Sequence, residues 1–140
     1  MFIDASAIVA ILAREPGHEE LEKTLAASGN PTMHISPLVR FEAIQALARQ
    51  KTPIGKKTTP ELLEAAAQAV DAFAEDLVLD EIPISHEIGE GALSASMHYG
   101  KVVGHPADLN FGDCFAYACA KALKTRLLYK GNDFLHTDLA

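Results

Sequence analysis

Short apolar segments alternate with helical patterns along this chain, and this alternation constrains the fold more than any other feature of the sequence. Residues 1–3, 32–36, 77–84 and 126–130 have the character of strands, and the first and last of these segments are almost continuously hydrophobic. Strands of parallel sheets have this composition because helices cover both faces of the sheet. We therefore expect an α/β fold whose parallel sheet is covered by helices on both faces.

Capping residues and helix breakers divide the rest of the chain into helices. Ser6 has the features of an N-cap for the first helix, and the turn Gly29-Asn30-Pro31 ends the second. Ser36-Pro37 combines a capping hydroxyl with a proline, which suits the first helical position. The predicted helices cover residues 7–14, 18–28, 37–51, 59–76, 86–99 and 111–123.

The last of these helices has a regular apolar pattern. Its apolar residues recur at offsets of three and four positions, which is the spacing of one buried helix face. Asp113 lies in the first turn, where unpaired amide groups and the helix dipole favour an acid. Small residues occupy much of the remaining surface, so we expect neighbouring elements to pack closely against it. The expected buried face consists of Phe111, Phe115, Ala118, Cys119 and Ala122.

Length and composition indicate a single folded domain over residues 1–140. About half of the residues (49%) are apolar, and the sequence contains no low-complexity run or internal repeat. The apolar start is too short to cross a bilayer and contains Asp4, so we expect no membrane association. Cys114 and Cys119 match no zinc or redox spacing, and two buried thiols fit a reducing cytoplasm.

The chain is acidic, with a formal net charge of −7 and a pI of about 5.3. This charge argues against a protein that holds nucleic acid through a broad basic surface. It does not exclude a nuclease, because bound metal ions can supply positive charge locally.

Four acids stand out by their positions: Asp4, Glu42, Asp113 and Asp133. Asp4 and Asp133 each follow a predicted strand, and the carboxyl ends of parallel strands meet at one edge of a sheet. Taken singly, Asp4 could cap a helix, Asp133 could serve a turn, and Glu42 could be a solvated helix acid. Acids that converge repel one another unless a cation is present. Oxygen donors without Cys or His suit Mg²⁺ or Mn²⁺.

The segments around these acids share a pattern with a known family. They are Asp4-Ala5-Ser6, Glu42 in the helix opened by Ser-Pro, residues 109–118 (Leu-Asn-Phe-Gly-Asp-Cys-Phe-Ala-Tyr-Ala), residues 127–134 (Leu-Leu-Tyr-Lys-Gly-Asn-Asp-Phe), and Thr137-Asp138. In order and spacing they resemble the PIN-domain ribonucleases, and more narrowly the VapC toxins of type II toxin–antitoxin modules. The resemblance implies a PIN-like three-layer α/β fold, with a central parallel sheet of four to five strands flanked by helices.

The resemblance also implies an activity. The expected protein is a Mg²⁺-dependent endoribonuclease toxin that cuts RNA, such as tRNA or rRNA, until an antitoxin blocks it. Cleavage would proceed by in-line attack of metal-activated water on a phosphodiester, leaving a 5′-phosphate and a 3′-hydroxyl. Such a reaction needs no side-chain nucleophile.

Roles for individual residues follow from their positions in the family pattern. Asp4 and Asp113 would be the principal metal ligands. Glu42 and Asp133 would complete the acidic pocket, directly or through water. Ser6 would support the first acid by hydrogen bonding.

The resemblance further implies partners. A VapB-like antitoxin would block the acidic pocket, for which an arginine is well suited. A homodimer is expected, with the helices at 37–51 and 59–76 as candidate contacts. Arg40, Lys101 and Lys130 are the basic residues nearest to the pocket in the sequence. They would either hold RNA phosphates or simply face solvent.

Three other functions fit parts of the sequence. A PIN-fold nuclease of RNA processing would share the acids without acting as a toxin. A non-catalytic binding module would use the same acids only to cap helices and turns. A small Mg²⁺-dependent phosphohydrolase is less compatible, because phosphatases with an aspartyl nucleophile usually carry an acid at the position of Ser6.

Overall fold

The computed structural model describes residues 1–29 and 32–140, and within them the chain forms a four-stranded parallel sheet. Asn30 and Pro31, part of the predicted turn, lie outside the described residues. The predicted α/β fold with a central parallel sheet is confirmed. The strands are β1 (Phe2–Ile3), β2 (His34–Ile35), β3 (Asp80–Glu81) and β4 (Leu127–Leu128).

The strand order β3-β2-β1-β4 determines where a site can form. The chain adds β2 and then β3 on one side of β1, and later adds β4 on the other side. Phe2 therefore pairs with His34 on one edge and with Leu127 on the other. Ligands of open α/β sheets bind beyond the carboxyl ends of the strands, at the point where the strand order reverses. Here that point lies between β1 and β4.

Six α-helices surround the sheet within the described residues, and two 3₁₀ turns, Lys101–Val103 and Asp133–His136, connect elements near their ends. No helix in residues 1–29 or 32–140 is both long and apolar enough to cross a membrane. The helices are α1 (Ala5–Leu12), α2 (His18–Ala27), α3 (Pro37–Lys51), α4 (Pro60–Asp76), α5 (His86–Tyr99) and α6 (Phe111–Ala122).

The first helix begins earlier than predicted, and the assignment of Ser6 as its N-cap is wrong. Asp4 is the N-cap, because its backbone is extended and its side chain accepts a hydrogen bond from the Ser6 amide. The helix also ends earlier than Arg14, whose positive φ of 51° is incompatible with a continued right-handed helix. The predicted cap Ser36 is confirmed, because its side chain accepts a hydrogen bond from the Val39 amide. Thr59, which was included in the predicted helix at 59–76, is the N-cap of α4 instead.

The strand predicted at 77–84 is much shorter in the structure, where only Asp80–Glu81 is paired. Leu77 still caps α4, and Val78 has a left-handed φ of 51°, so the chain must turn before it can extend. The other three strands are also shorter than the predicted segments. Hydrophobic runs marked the right segments, but the paired backbone is confined to two residues in each of them.

The buried surface of α6 differs from the predicted stripe. Phe111 and Ala122 are exposed, so their assignment to the buried face is wrong. Because α6 packs against both β1 and α5, small side chains are buried on several sides of the helix. Cys114 and Cys119 are both buried and free, as predicted. The buried residues are Gly112, Cys114, Ala116, Ala118, Cys119 and Ala120.

Candidate active site

An open cleft of about 580 Å³ lies at the carboxyl end of the sheet, beside the gap between β1 and β4. All four acids singled out in the sequence line this cleft, and we call it the acidic cleft. Asp4 enters from the end of β1, Glu42 from α3, Asp113 from α6 and Asp133 from the turn after β4. The position is the one that the strand order favours.

Asp4 is the most buried of the four acids, with only 5% of its surface exposed. Its Oδ2 atom accepts hydrogen bonds from the Ser6 amide (2.9 Å) and the Ser6 hydroxyl (2.5 Å). The same hydroxyl accepts a hydrogen bond from the Lys130 amide (3.0 Å), which ties the acid to the chain after β4. Burial raises the pKa of Asp4, and the hydrogen bonds from Ser6 oppose this effect.

Asp113 is held by a capping box at the start of α6. Its Oδ2 accepts a hydrogen bond from the Asn110 amide (2.9 Å), while its own amide donates to Asn110 Oδ1 (3.0 Å). Burial, with smaller contributions from the charges of Asp4 and Asp133, raises the pKa of Asp113 to about 6. Asp113 thus satisfies an unpaired amide at the start of α6, as expected for an acid in the first turn, and the capping box also fixes it at the cleft.

Glu42 is half-buried and lies directly against the backbone of α6. A Cβ atom at Gly112 would overlap the Glu42 carboxylate, so only glycine permits this approach. Burial, followed by the charges of Asp4 and Asp113, raises the pKa of Glu42 to about 7. Each of these acids therefore makes ionisation of its neighbours less favourable.

The donor chemistry of the acidic cleft fits a hard divalent cation. Asp133 is exposed at the cleft entrance, and its charge raises the pKa values of Asp4 and Asp113. In the described part of the chain, no three acid, His or Cys side chains stand close enough together to enclose a metal ion by themselves. The fit is one of charge and oxygen donors, with water completing the coordination as is usual for Mg²⁺.

The structure separates the three basic residues that were candidates for RNA binding. Arg40 is not part of the cleft lining, because its guanidinium forms two hydrogen bonds with Asp71 of α4 (2.7 and 2.8 Å). Lys101 lines a neighbouring groove, where its Nζ atom lies 3.7 Å from Asp108 Oδ2. Lys130 does line the acidic cleft, which makes it the candidate that the structure brings to the acids.

The ammonium group of Lys130 is itself engaged at the edge of the acidic cleft. Its Nζ lies 3.2 Å from Glu15 Oε2 and donates to the Pro16 carbonyl oxygen at 2.5 Å. Both partners come from the turn after α1. The lysine therefore links that turn to the chain after β4, and much of its charge is already balanced.

Sequence reasoning missed other residues of the acidic cleft. Arg49 and Gln45 lie on the same helix as Glu42, seven and three residues further along, and all three line the cleft. The helical spacing of three, four and seven positions could have identified them once Glu42 was placed there. Glu15 also lines the cleft, but it follows a helix end and carries no such spacing signal.

The chain is similar in sequence to several known proteins. A family model described as PIN domain matches residues 1–139. The chain is 51% identical to a VapC ribonuclease of Rhizobium meliloti over 140 residues, which cover 99% of this chain and 98% of the relative. It is 33% identical to ribonuclease VapC42 of Mycobacterium tuberculosis over 139 residues, which cover 99% and 96% of the two chains.

A solved structure has the same fold. The crystal structure of Mycobacterium tuberculosis VapC20, described as a sarcin-ricin loop cleaving toxin, aligns with a TM-score of 0.70. The alignment covers 99% of this chain and 95% of that chain at 20% sequence identity. At this level of identity the similarity concerns the fold.

Proposed function

Because the chain belongs to the PIN-domain family, among the VapC ribonucleases, we propose that it is a Mg²⁺-dependent endoribonuclease and the toxin of a toxin–antitoxin module. The observation that carries the proposal is the meeting of Asp4, Glu42, Asp113 and Asp133 at one cleft. Burial and neighbouring acids raise the pKa values of Asp4, Glu42 and Asp113, so a cation that offsets the negative charge at this open cleft is favoured.

In this proposal the chain supplies a fixed set of carboxylates. Asp4 and Asp113 are the principal ligands of Mg²⁺, for which Mn²⁺ could substitute, while Glu42 and Asp133 act directly or through water. The hydrogen bonds from Ser6 and Asn110 hold Asp4 and Asp113 in position before any ligand arrives. When bound, the cation would activate water for in-line attack on a phosphodiester and neutralise charge on the phosphate.

The ionisation of the acids is coupled to this chemistry. In the absence of a cation the pKa of Glu42 is about 7, so the binding of a cation near neutral pH would release its proton and favour the carboxylate. Asp4 is almost fully buried and accepts two hydrogen bonds from Ser6, so its role in this proposal is that of a fixed anionic ligand. The proposed products carry a 5′-phosphate and a 3′-hydroxyl.

The proposed partners follow from the same family membership. RNA, such as tRNA or rRNA, is the substrate, and a VapB-like antitoxin closes the acidic cleft. Two copies of the chain would form a homodimer. The two buried free thiols are consistent with a cytoplasmic location, where thiols remain reduced.

Cleavage of total RNA by the purified chain tests this proposal. The wild type, Asp4→Asn and Asp113→Asn are compared with Mg²⁺ and with EDTA, and the new ends are mapped. We expect discrete cuts with 5′-phosphates that require Mg²⁺ and disappear in both variants. Cleavage that persists in EDTA or in both variants would contradict the metal-carboxylate mechanism. If the folded, antitoxin-free chain cuts no RNA, the ribonuclease proposal itself fails.

A further inference from the structure

An apolar groove lies beside the acidic cleft, on the opposite side of the N-terminus of α6. Its volume is about 470 Å³, and α5, the 3₁₀ turn at Lys101–Val103 and the first turn of α6 line it. The walls are almost entirely apolar. Leu93, Val102 and Phe111 remain 51%, 84% and 69% exposed. Large apolar side chains grouped at a surface mark a place where a ligand or partner binds.

The two cavities share one lining residue. Asn110 lines both the acidic cleft and the apolar groove. It is also the residue that exchanges hydrogen bonds with Asp113 at the start of α6. A ligand in the groove therefore lies next to the acids that we propose to act on a phosphodiester.

We propose that the apolar groove binds an unpaired nucleobase of the RNA whose phosphodiester occupies the acidic cleft; this inference rests on the proposed ribonuclease function. The rings of Phe111 and Phe115 have centroids 5.1 Å apart and present aromatic surface at the groove. Proteins recognise unpaired bases by stacking them on such rings. Ser96, Lys101 and Asn110 add polar groups that can contact the edge of the base or its phosphate.

The charge of the chain favours a stacking site over a basic surface for binding RNA. The sequence has 12 Lys and Arg residues against 19 Asp and Glu residues, and the ammonium of Lys130 is already paired with Glu15. Arg49 is the other basic residue that lines the acidic cleft, so few basic side chains attract phosphates there. Stacking does not depend on net charge, and it supplies binding free energy next to a cleft that repels phosphate in the absence of a cation.

Two other occupants would produce different results. A second copy of this chain could cover the apolar surface, and so could an apolar segment of a partner protein. The groove shares Asn110 with the acidic cleft and carries the exposed ring of Phe111 in the helix turn that also holds Asp113, which favours the substrate. The experiments below distinguish these occupants.

The first test measures kcat/KM for cleavage of a short RNA that contains a mapped cut site. Phe111→Ala should lower kcat/KM roughly 10-fold, because removal of one stacking partner costs about 1–3 kcal/mol. Phe111→Tyr keeps a ring and should retain activity. Ile54→Ala is the matched control, because Ile54 is fully exposed and lines neither cavity. If the wild type cleaves this RNA and Phe111→Ala cleaves it equally well, the groove proposal is wrong while the ribonuclease proposal stands.

The second test uses the absence of tryptophan from the sequence. Phe111→Trp, combined with Asp113→Asn to prevent cleavage, is titrated with oligoadenylate and with an abasic oligonucleotide of equal length. We expect oligoadenylate to quench the indole fluorescence and the abasic strand to leave it unchanged. Ile54→Trp in the same background should respond to neither strand. The proposal would be overturned if both strands quenched the indole equally. It would also be overturned if anisotropy showed that RNA binds while the indole fluorescence does not change.

The same protein also reports on the alternative occupants. An emission maximum that shifts with protein concentration in the absence of RNA, together with a matching change in sedimentation, would show that a second copy fills the groove. If oligoadenylate quenches the indole of the free protein, and an antitoxin prevents this quenching without itself burying the indole, the base site is supported. An antitoxin peptide that alone buries the indole, with no response to RNA, would assign the groove to the partner protein and overturn our inference.

Discussion

The acidic cleft and the apolar groove lie on either side of the N-terminus of α6. They differ in the interaction that raises the free energy of the chain without a ligand. In the cleft, burial raises the pKa values of Glu42 and Asp113, and the charges of neighbouring acids add to this effect. In the groove, large apolar side chains remain in contact with water. A bound cation would offset the negative charge of the cleft, and an apolar or aromatic ligand would remove the side chains of the groove from water. A nucleotide with its divalent ion supplies both the cation and an aromatic base. The two neighbouring cavities therefore fit a single ligand.

The two regions also differ in how their residues are held. Asp4 and Asp113 are fixed by hydrogen bonds from Ser6 and Asn110. Phe111 has no polar atom in its side chain, and its ring lies beside that of Phe115. We therefore expect substitutions in the cleft to change catalysis strongly, and substitutions in the groove to change binding by smaller factors.

The largest expected difference is between Asp113→Asn and Phe111→Ala. Asp113→Asn should lower kcat by about 1,000-fold, since the charge interaction of a ligand carboxylate with the cation contributes several kcal/mol to the transition state. The asparagine can still accept the hydrogen bond from the Asn110 amide, so folding should be retained, as thermal unfolding would verify. If Asp113→Asn loses no more activity than Phe111→Ala, the acids serve as caps rather than as the catalytic centre.

The close contact between Glu42 and Gly112 provides the next test. Gly112→Ala should lower kcat by about 10- to 100-fold, because the new Cβ displaces the Glu42 carboxylate and misplacement by about 1 Å carries a cost of this size. The double variant Gly112→Ala/Glu42→Ala is the control. If the overlap is the cause, Gly112→Ala should add almost nothing once the carboxylate is absent. Additive effects would show that the substitution damages α6 itself.

The sequence predicted the positions of the four acids but not that of Phe111. The four acids could be placed at one edge because two of them follow strands and because the surrounding motifs resemble a known family. Phe111 was assigned to the core, since helical periodicity shows which residues share a face but not what covers that face. The small residues of α6 allow β1 and α5 to pack closely, and the larger ring at the helix start is left outside. The groove could not be predicted for that reason.

The pH dependence of stability should distinguish the two regions in the absence of a divalent ion. Burial and the neighbouring acids raise the pKa of Glu42 from 4.5 to about 7. The folded state then binds more protons than the unfolded state between these values, so stability decreases as the pH rises through this range. After allowance for solvent screening, we expect a decrease of about 1–2 kcal/mol in the free energy of unfolding.

Urea unfolding in EDTA at several pH values measures this decrease. Glu42→Gln should reduce the slope, and Phe111→Ala should leave it unchanged because no titrating group is removed. Added Mg²⁺ should also reduce the slope if the carboxylates bind it. A slope that is identical in the wild type and Glu42→Gln would mean that Glu42 does not carry the raised pKa.

The smallest expected effect is at Gly89, the glycine of α5 that lines the apolar groove. A Cβ atom at Gly89 would have no neighbour within 4 Å, so Gly89→Ala gains helix stability without a clash. We expect an increase of about 0.5–1 kcal/mol in the free energy of unfolding, and a rise of about 2–4 °C in Tm. At Gly91, two residues further along, the Cβ would lie 3.2 Å from the Ala118 Cβ, so Gly91→Ala should show a smaller gain or a loss. A destabilised Gly89→Ala would mean that the groove is covered in solution, since only an occupied groove leaves no room for a methyl group there.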